Sequence, residues 1–465
     1  MPFMIRQIAA PANLADHLTL DALATAIPHA TVQAVIADLH ATEQRRRALP
    51  ADVTLLLTIA MNLFTDQALV DVFDSLISGL RLVMPDPDVG PVNKSAISQA
   101  RYRLGPRPVV ELFHRVCRPC ATPSTPGAFR FGLRLMALDG TKELVPDTPA
   151  NAAAFGYPSN QQGQGAFPQV QAVYLVECGT HTVVDAGVWP YATSERVGGL
   201  RLLRSLDADM LLLWDQGFHG YPMAAATRQH RAHFLGRVPS NVVLRPVRHL
   251  ADGTYLVWLR PAERGPAAAR RVPSVLVRVI EYTLDAPGRT GHGEPHRLMT
   301  SLLDPEEAPA VELVCTYHER WEEELVIDEQ DTHLRLVQHP LRSQKPEGVV
   351  QELYGVLLAH YAVRRVMVDA AAHAGIAPRD LSFVHAVRVL RRAVAEFQLV
   401  AVEQEAALYG RLLRDIARGR LAARDGRINP RVVRRQQSKF PVKRPSHGAA
   451  PRLKKPFHET VVLLN

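Results

Sequence analysis

Apolar residues recur at three- and four-residue spacing through LTLDALATAI, HATVQAVIADLHAT, ADVTLLLTIAMNLF and DQALVDVFDSLISGL, without the alternation of half-buried strands. The chain up to about Phe129 is therefore expected to be helical. Within it, VNKSAISQARYRLG opens on polar Asn93 and Ser95 and then sets Ile97 and Tyr102 among Lys94, Arg101 and Arg103. That pattern suits an amphipathic surface helix, or the second helix of a helix-turn-helix.

The period then changes. LRLMAL, reaching Asp139, and DADMLLLW, reaching Asp215, are short apolar runs bounded by polar turns, as buried strands are. QVQAVYLVEC and THTVVDAGVW are β-rich, and SERVGGLRLLRSL has the helical spacing of a crossover between neighbouring parallel strands. From Val242 to Leu313 the chain is β-rich again, in VVLRPVRHL, GTYLVWLRP, SVLVRVIEYTLD and HRLMTSLLD, which predicts an inserted β subdomain. Helical periodicity returns in YHERWEEELVIDEQDTHL, EGVVQELYGVLLAHYAVRRVMVDAAAHAG and LSFVHAVRVLRRAVAEFQLV. No fixed-period repeat occurs, which argues against a solenoid.

A chain of 465 residues has room for about three domains, and 47% hydrophobic with 22% charged residues excludes wholesale disorder, collagen and coiled coil. No apolar run approaches the roughly 18 residues of a membrane helix, and MPFMIRQIAAPANLADH lacks a signal-peptide core, so a cytoplasmic address is expected. Cys117, Cys120, Cys178 and Cys315 are too few for a disulfide framework, and the C-x-x-C of Cys117 and Cys120 supplies only half a tetrahedral zinc site. The net charge of +8 is unevenly spread: between Arg411 and Phe457 stand fifteen Lys and Arg but only Asp415 and Asp425. Such an aromatic-poor basic end suits nucleic acid, although a solvated tail without a specific ligand explains the charge as well.

Asp139 and Asp215 lie at the C-terminal ends of two predicted strands, each before a glycine-containing turn, where open α/β sheets collect ligands. Two aspartates there could share a divalent metal. In Y-H-E-R-W-E-E-E, the residues Tyr317, Arg320, Trp321 and Glu324 share a helix face and offer a third carboxylate. Periodicity alone also allows a core stripe of Tyr317 and Trp321 with Arg320 and Glu324 as a surface pair.

Together D-G-T (Asp139 to Thr141), W-D-Q-G-F (Trp214 to Phe218) and Y-x2-R-x3-E (Tyr317, Arg320, Glu324) resemble the DDE transposases of bacterial insertion sequences, specifically the insertion-sequence-four family. The resemblance extends through DTPANAAAFG, AFPQVQAVYLVE and LRSQKPEGVVQELYGVLLAHYAVR. It implies an α/β, RNase H-like core with a β-rich insertion behind an all-helical N-terminal domain. The implied division is 1–128, helical and DNA-end-binding; 129–241, first part of the core; 242–313, insertion; 314–402, second, helical part of the core; and 403–465, helix end and basic tail. It further implies Asp139, Asp215 and Glu324 as a catalytic triad holding two Mg2+ ions, or Mn2+ in their place, for in-line attack on a phosphodiester. Tyr317 and Arg320 match DNA-contacting positions, while Arg342 and Lys345 are plausible phosphate contacts that a generic basic loop explains equally well. The implied activity is cut-and-paste transposition, with terminal inverted repeats and target DNA as partners, a homodimer in the synaptic complex, no membrane and a nucleoid-associated location. The family signature continues as E-x6-K to a Lys seven residues beyond the Glu, where this chain has Asp331, and Gln216 stands where Arg is frequent. On a continuous helix Asp331 would share the face of Glu324 and set an anion beside DNA. A transposase-derived DNA-binding protein that has lost cleavage is therefore the alternative. A carboxylate glycosidase is remoter, because it leaves the basic tail unexplained.

Overall fold

The computed structural model describes residues 3–6, 20–42, 49–83, 92–160, 163–261, 273–283, 293–335 and 340–421. Most of the basic tail lies outside them.

The N-terminal helices are α1 (His29–Asp38), α2 (Ala51–Leu63), α3 (Leu69–Ile77), α4 (Lys94–Leu104) and α5 (Arg107–Val116). Among its described residues, LTLDALATAI contributes a short turn of 3-10 helix at Asp21–Leu23. Asn93 caps α4 by accepting from the Ala96 amide at 2.8 Å, and Arg101 turns inward to donate to Ser343 Oγ and the Gly348 carbonyl. The residues before α4 that would form a helix-turn-helix turn lie outside the described set.

The central strands are β1 (Leu133–Leu144), β2 (Gln169–Glu177), β3 (Thr182–Pro190), β4 (Met210–Trp214) and β5 (His233–Arg237). They lie in the order β3-β2-β1-β4-β5, with β2 antiparallel to its neighbours and β1, β4 and β5 mutually parallel. That order and polarity are RNase H-like. MLLLW is buried throughout because α6 (Glu195–Leu202) and α7 (Tyr221–Gln229) cover one face while α8 (Ala310–His318) covers the other.

Two expectations need correction. The run LRLMAL does not end at Asp139; β1 continues to Leu144, because residues beyond Asp139 lose β4 as a neighbour but still pair with β2. Gly140 accordingly lies in a strand, not a turn. The segment from Val242 to Leu313 is β-rich as expected, but its strands β6 (Arg248–His249), β7 (Tyr255–Leu259), β8 (Val275–Tyr282) and β9 (His296–Thr300) prolong the central sheet through antiparallel pairing of β9 with β5.

YHERWEEELVIDEQDTHL is likewise not one helix. Its first residues end α8, Glu319 and Arg320 form a turn, α9 covers Trp321–Asp328, and Glu329–Leu334 widen into a π-helical stretch. The long α10 (Pro346–Ala374) begins with proline in its first turn and stops at Gly375, whose φ of +65° is left-handed. With α11 (Phe383–Leu399) and α12 (Glu405–Ala417) it shares one hydrophobic core with α1 to α5.

Candidate active site

The parallel register pairs Leu138 of β1 with Trp214 of β4, so Asp139 and Asp215 each stand one residue beyond that pair, side by side. Asp139 Oδ1 accepts from the Gly140 amide at 2.8 Å, and Asp215 Oδ1 accepts from the Gly217 amide at 2.7 Å while capping the turn Gln216–Phe218. Burial is the main force on Asp139 and pushes its carboxyl up to about 6; the charges of Asp215 and Glu195 act the same way, while the Gly140 amide and Arg320 oppose them.

Arg320 links the aspartates to the third expected carboxylate. Its Nη2 donates to Glu324 Oε1 at 3.2 Å, and its Nη1 lies 3.9 Å from Asp139 Oδ2. Tyr317 is 8% exposed, packs under the sheet with Leu313 and hydrogen-bonds Arg320; burial first of all pushes its phenol up to about 12. Among the described residues, no group of three His, Cys, Asp or Glu side chains stands close enough to hold one ion.

Arg342 and Lys345 are not drawn into this centre. Leu341 donates to the Leu144 carbonyl at 2.9 Å, which sets their loop beside the far end of β1. Glu352 fixes the loop by accepting from the Arg342 and Ser343 amides, Arg342 donates to the Thr65 carbonyl, and the Lys345 ammonium lies 4.6 Å from the Tyr102 ring centroid. The thiols of Cys117 and Cys120 are kept protonated, chiefly by burial, and the latter is pushed up to about 12.

Asp331 stands in the π-helical stretch, so the continuous α-helix needed to align it with Glu324 is absent. Arg335, one turn on, donates to Asp331 at 3.2 Å and also to Glu143 of β1. Burial, then the neighbouring Glu143, push the Asp331 carboxyl up to about 7 against the pull of Arg335. A carboxyl raised in the fold is a stability liability that grows as pH climbs from about 4 to about 7. Asp331→Asn should therefore melt close to the natural protein at pH 4 and above it at pH 8, as a thermal scan at both values will register; an equal difference at both excludes Asp331 as the titrating group.

One carboxylate of this centre is missed by reading the chain alone. Glu195, the first residue of α6, lies against Gly140, and Asp215 leads the charges acting on it. Its only signal is its place after the helix-capping Ser194, where an acidic residue is ordinary.

Fold and site define an RNase H-like α/β protein with an acidic centre where the parallel pairing of its middle strands stops. The family described as insertion element 4 transposase N-terminal matches residues 17–114, and the transposase DDE domain matches residues 130–362. The transposase InsG for insertion sequence element IS4 of Escherichia coli K12 is 30% identical over 410 residues, covering 85% of this chain and 88% of that protein. The putative transposase InsZ of the same strain is 29% identical over 199 residues, 41% of this chain and 61% of that protein. Among solved structures, a piggyBac transposase synaptic complex with hairpin DNA aligns with a TM-score of 0.42 and 12% identity, over 87% of this chain and 85% of that one. The chain belongs to the IS4 family of DDE transposases, and its class of activity is that of a DNA transposase. Among the described residues no helix is long and apolar enough to cross a membrane.

Proposed function

We propose that this transposase cuts phosphodiester bonds at the ends of its own insertion element and joins the freed ends to target DNA by a cut-and-paste route. Asp139, Asp215 and Glu324 hold divalent ions in this reading, Mg2+ with Mn2+ as substitute. The donor set suits them: the carboxylates offer hard oxygens, and Mg2+ commonly takes only one or two carboxylates alongside water and substrate phosphate. When bound, such ions supply Lewis-acid activation of the attacking oxygen and stabilise the leaving one.

The chain's own side chains do the positioning. Arg320, already forked toward two carboxylates, is placed to take a phosphate oxygen beside them. Tyr317 acts through Arg320, since its ring is buried. Arg342 and Lys345 contact the DNA backbone further along, with residues 1–128 and the basic end 403–465 binding the element's ends in a homodimeric synaptic complex. The divisions 129–241, 242–313 and 314–402 carry the core and its insertion.

The observation that carries this reading is the pair of aspartates side by side where the parallel pairing of β1 and β4 stops, one of them raised chiefly by burial and further by its acidic neighbours. Asp331 favours the second reading, a DNA-binding protein without cleavage, but the cation absent there is answered by Arg335 one turn on.

The test is nicking of duplex DNA that carries the sequences flanking the coding region in its source genome. Strand cleavage should appear with Mg2+ or Mn2+ and vanish with EDTA. Cleavage that persists without metal overturns the metal reading; tight DNA binding with no nicking under any metal supports the second one.

A further inference from the structure

The crossover helix α6 comes unusually close to the sheet because of the glycines in SERVGGL. A Cβ on Gly198 would lie 2.7 Å from Val173 and 2.8 Å from Trp189, and one on Gly199 would lie 2.7 Å from Phe218. Larger residues there would hold the helix away. This approach lays Glu195 over β1: its Cγ and Cδ stand 2.7 and 3.0 Å from where a Gly140 Cβ would be. Gly140, in the D-G-T sequence, thus leaves space for a carboxylate next to the backbone of Asp139.

Two ordinary uses for Glu195 are weaker. A capping role is already filled by Ser194, whose Oγ accepts from the Val197 amide at 3.4 Å. Lys142 attracts Glu195, as the next charge acting on it after Asp215, but its ammonium sits over the Tyr191 ring at 4.7 Å and it makes no ion pair with Glu195 among the described residues. Gln171 holds the carboxyl by a hydrogen bond, and the charge it faces first is Asp215, with Asp139 in turn feeling Glu195. Three anions sharing one field at a half-buried sheet edge repel one another, and a divalent cation relieves that repulsion.

We propose that Glu195 is a fourth metal-facing carboxylate of the transposase centre, raising its affinity for a divalent ion; this rests on the reading of Asp139 and Asp215 as metal ligands. Residues 139 and 140 point to opposite faces of β1, so Glu195 reaches across the strand from the α6 side. It therefore acts through water in the ion's shell rather than by direct ligation. Mg2+ and Mn2+ sites retain such waters, and carboxylates that hold them tune affinity by their charge.

The experiment is Mn2+ binding to the full chain without DNA at pH 7.5, read from the paramagnetic resonance signal of free Mn2+. Glu195→Gln should weaken binding by about 10-fold, the scale of losing an outer-shell partner. Asp139→Asn and Asp215→Asn should weaken it further, and Asp209→Asn, at the opposite end of β4, should leave it unchanged. Glu195→Ala separates charge from packing. If Ala weakens binding and Gln does not, Glu195 is structural and the proposal falls. If Glu195→Gln binds as the natural chain does while Asp139→Asn is weakened, Glu195 has no metal role but the aspartate reading stands. If neither aspartate variant changes binding, that reading fails and takes the proposal with it.

Discussion

Asp139→Asn should lower metal-dependent cleavage of end DNA by about 10³-fold or more, while DNA binding and folding persist. The magnitude follows from what the side chain supplies: an amide oxygen replaces a charged ligand, and each factor of ten corresponds to about 1.4 kcal/mol of transition-state stabilisation. Stability should move the other way. The carboxyl is raised in the fold to about 6, mainly by burial, so at pH 8 it is ionised but at a cost that the unfolded chain does not bear. A raised carboxyl detracts from stability above its unfolded pKa, by an amount that is complete once pH exceeds the folded value. The neutral amide removes that penalty, and Asp139→Asn should melt at or above the natural temperature at pH 8. The same raised carboxyl makes protons compete with metal, so natural cleavage should fall as pH drops below about 6, at a lower pH the more Mn2+ is present. A variant that melts normally and still cleaves within tenfold of the natural rate removes Asp139 from the mechanism.

The aspartates were legible because each follows an uninterrupted apolar run, and burial on both faces of a middle strand demands that composition. The continuation of β1 was not. LDGTKEL carries glycine and charge inside a strand because Gly140 accommodates Glu195 and Glu143 receives Arg335, and neither partner is near in sequence. The break between α8 and α9 escaped for another reason: three- and four-residue spacing survives a single turn, so Tyr317, Arg320 and Glu324 keep their mutual contacts without sharing one helix. Arg335 makes the same point about Asp331, since substitution of a single motif residue is read against its spatial neighbours and not against the motif.

Least legible of all is what anchors the end of the segment that bears Glu324, and breaking it should have the largest effect on stability. Glu329, five residues beyond Glu324, is 8% exposed and accepts from Arg364 Nε at 2.8 Å and also from Arg364 Nη2. His360 Nε2 lies 3.1 Å from its second oxygen and His181 Nδ1 3.4 Å from its first. The four residues come from three elements: the π-helical stretch, α10 and the turn between β2 and β3. Scattered through the chain, each reads as a solvated polar residue. Burial alone would raise the Glu329 carboxyl, but Arg364 and the two histidines outweigh it and hold the group well below the usual range. Removing one charge strands the other in the core, so Glu329→Leu and Arg364→Met should each cost about 3–5 kcal/mol, whereas the two together should cost less than their sum. Urea unfolding of the four chains measures this; an additive pair would mean that the charges do not meet in solution. A depressed carboxyl stabilises above its unfolded pKa and stops doing so as pH falls. Burial also lowers the His360 pKa, so it too opposes folding once the unfolded chain takes up a proton below about pH 6.5. The His360 penalty falls on both chains and is no smaller without Glu329, whose charge raises that pKa, so the natural chain's advantage over Glu329→Gln should persist from pH 7 to about 5 and shrink only as pH falls below about 4.5. Because the cluster fixes the stretch that continues α9, cleavage by either single variant should fall even under conditions where the fold is retained, while divalent-metal binding by Asp139 and Asp215 is spared.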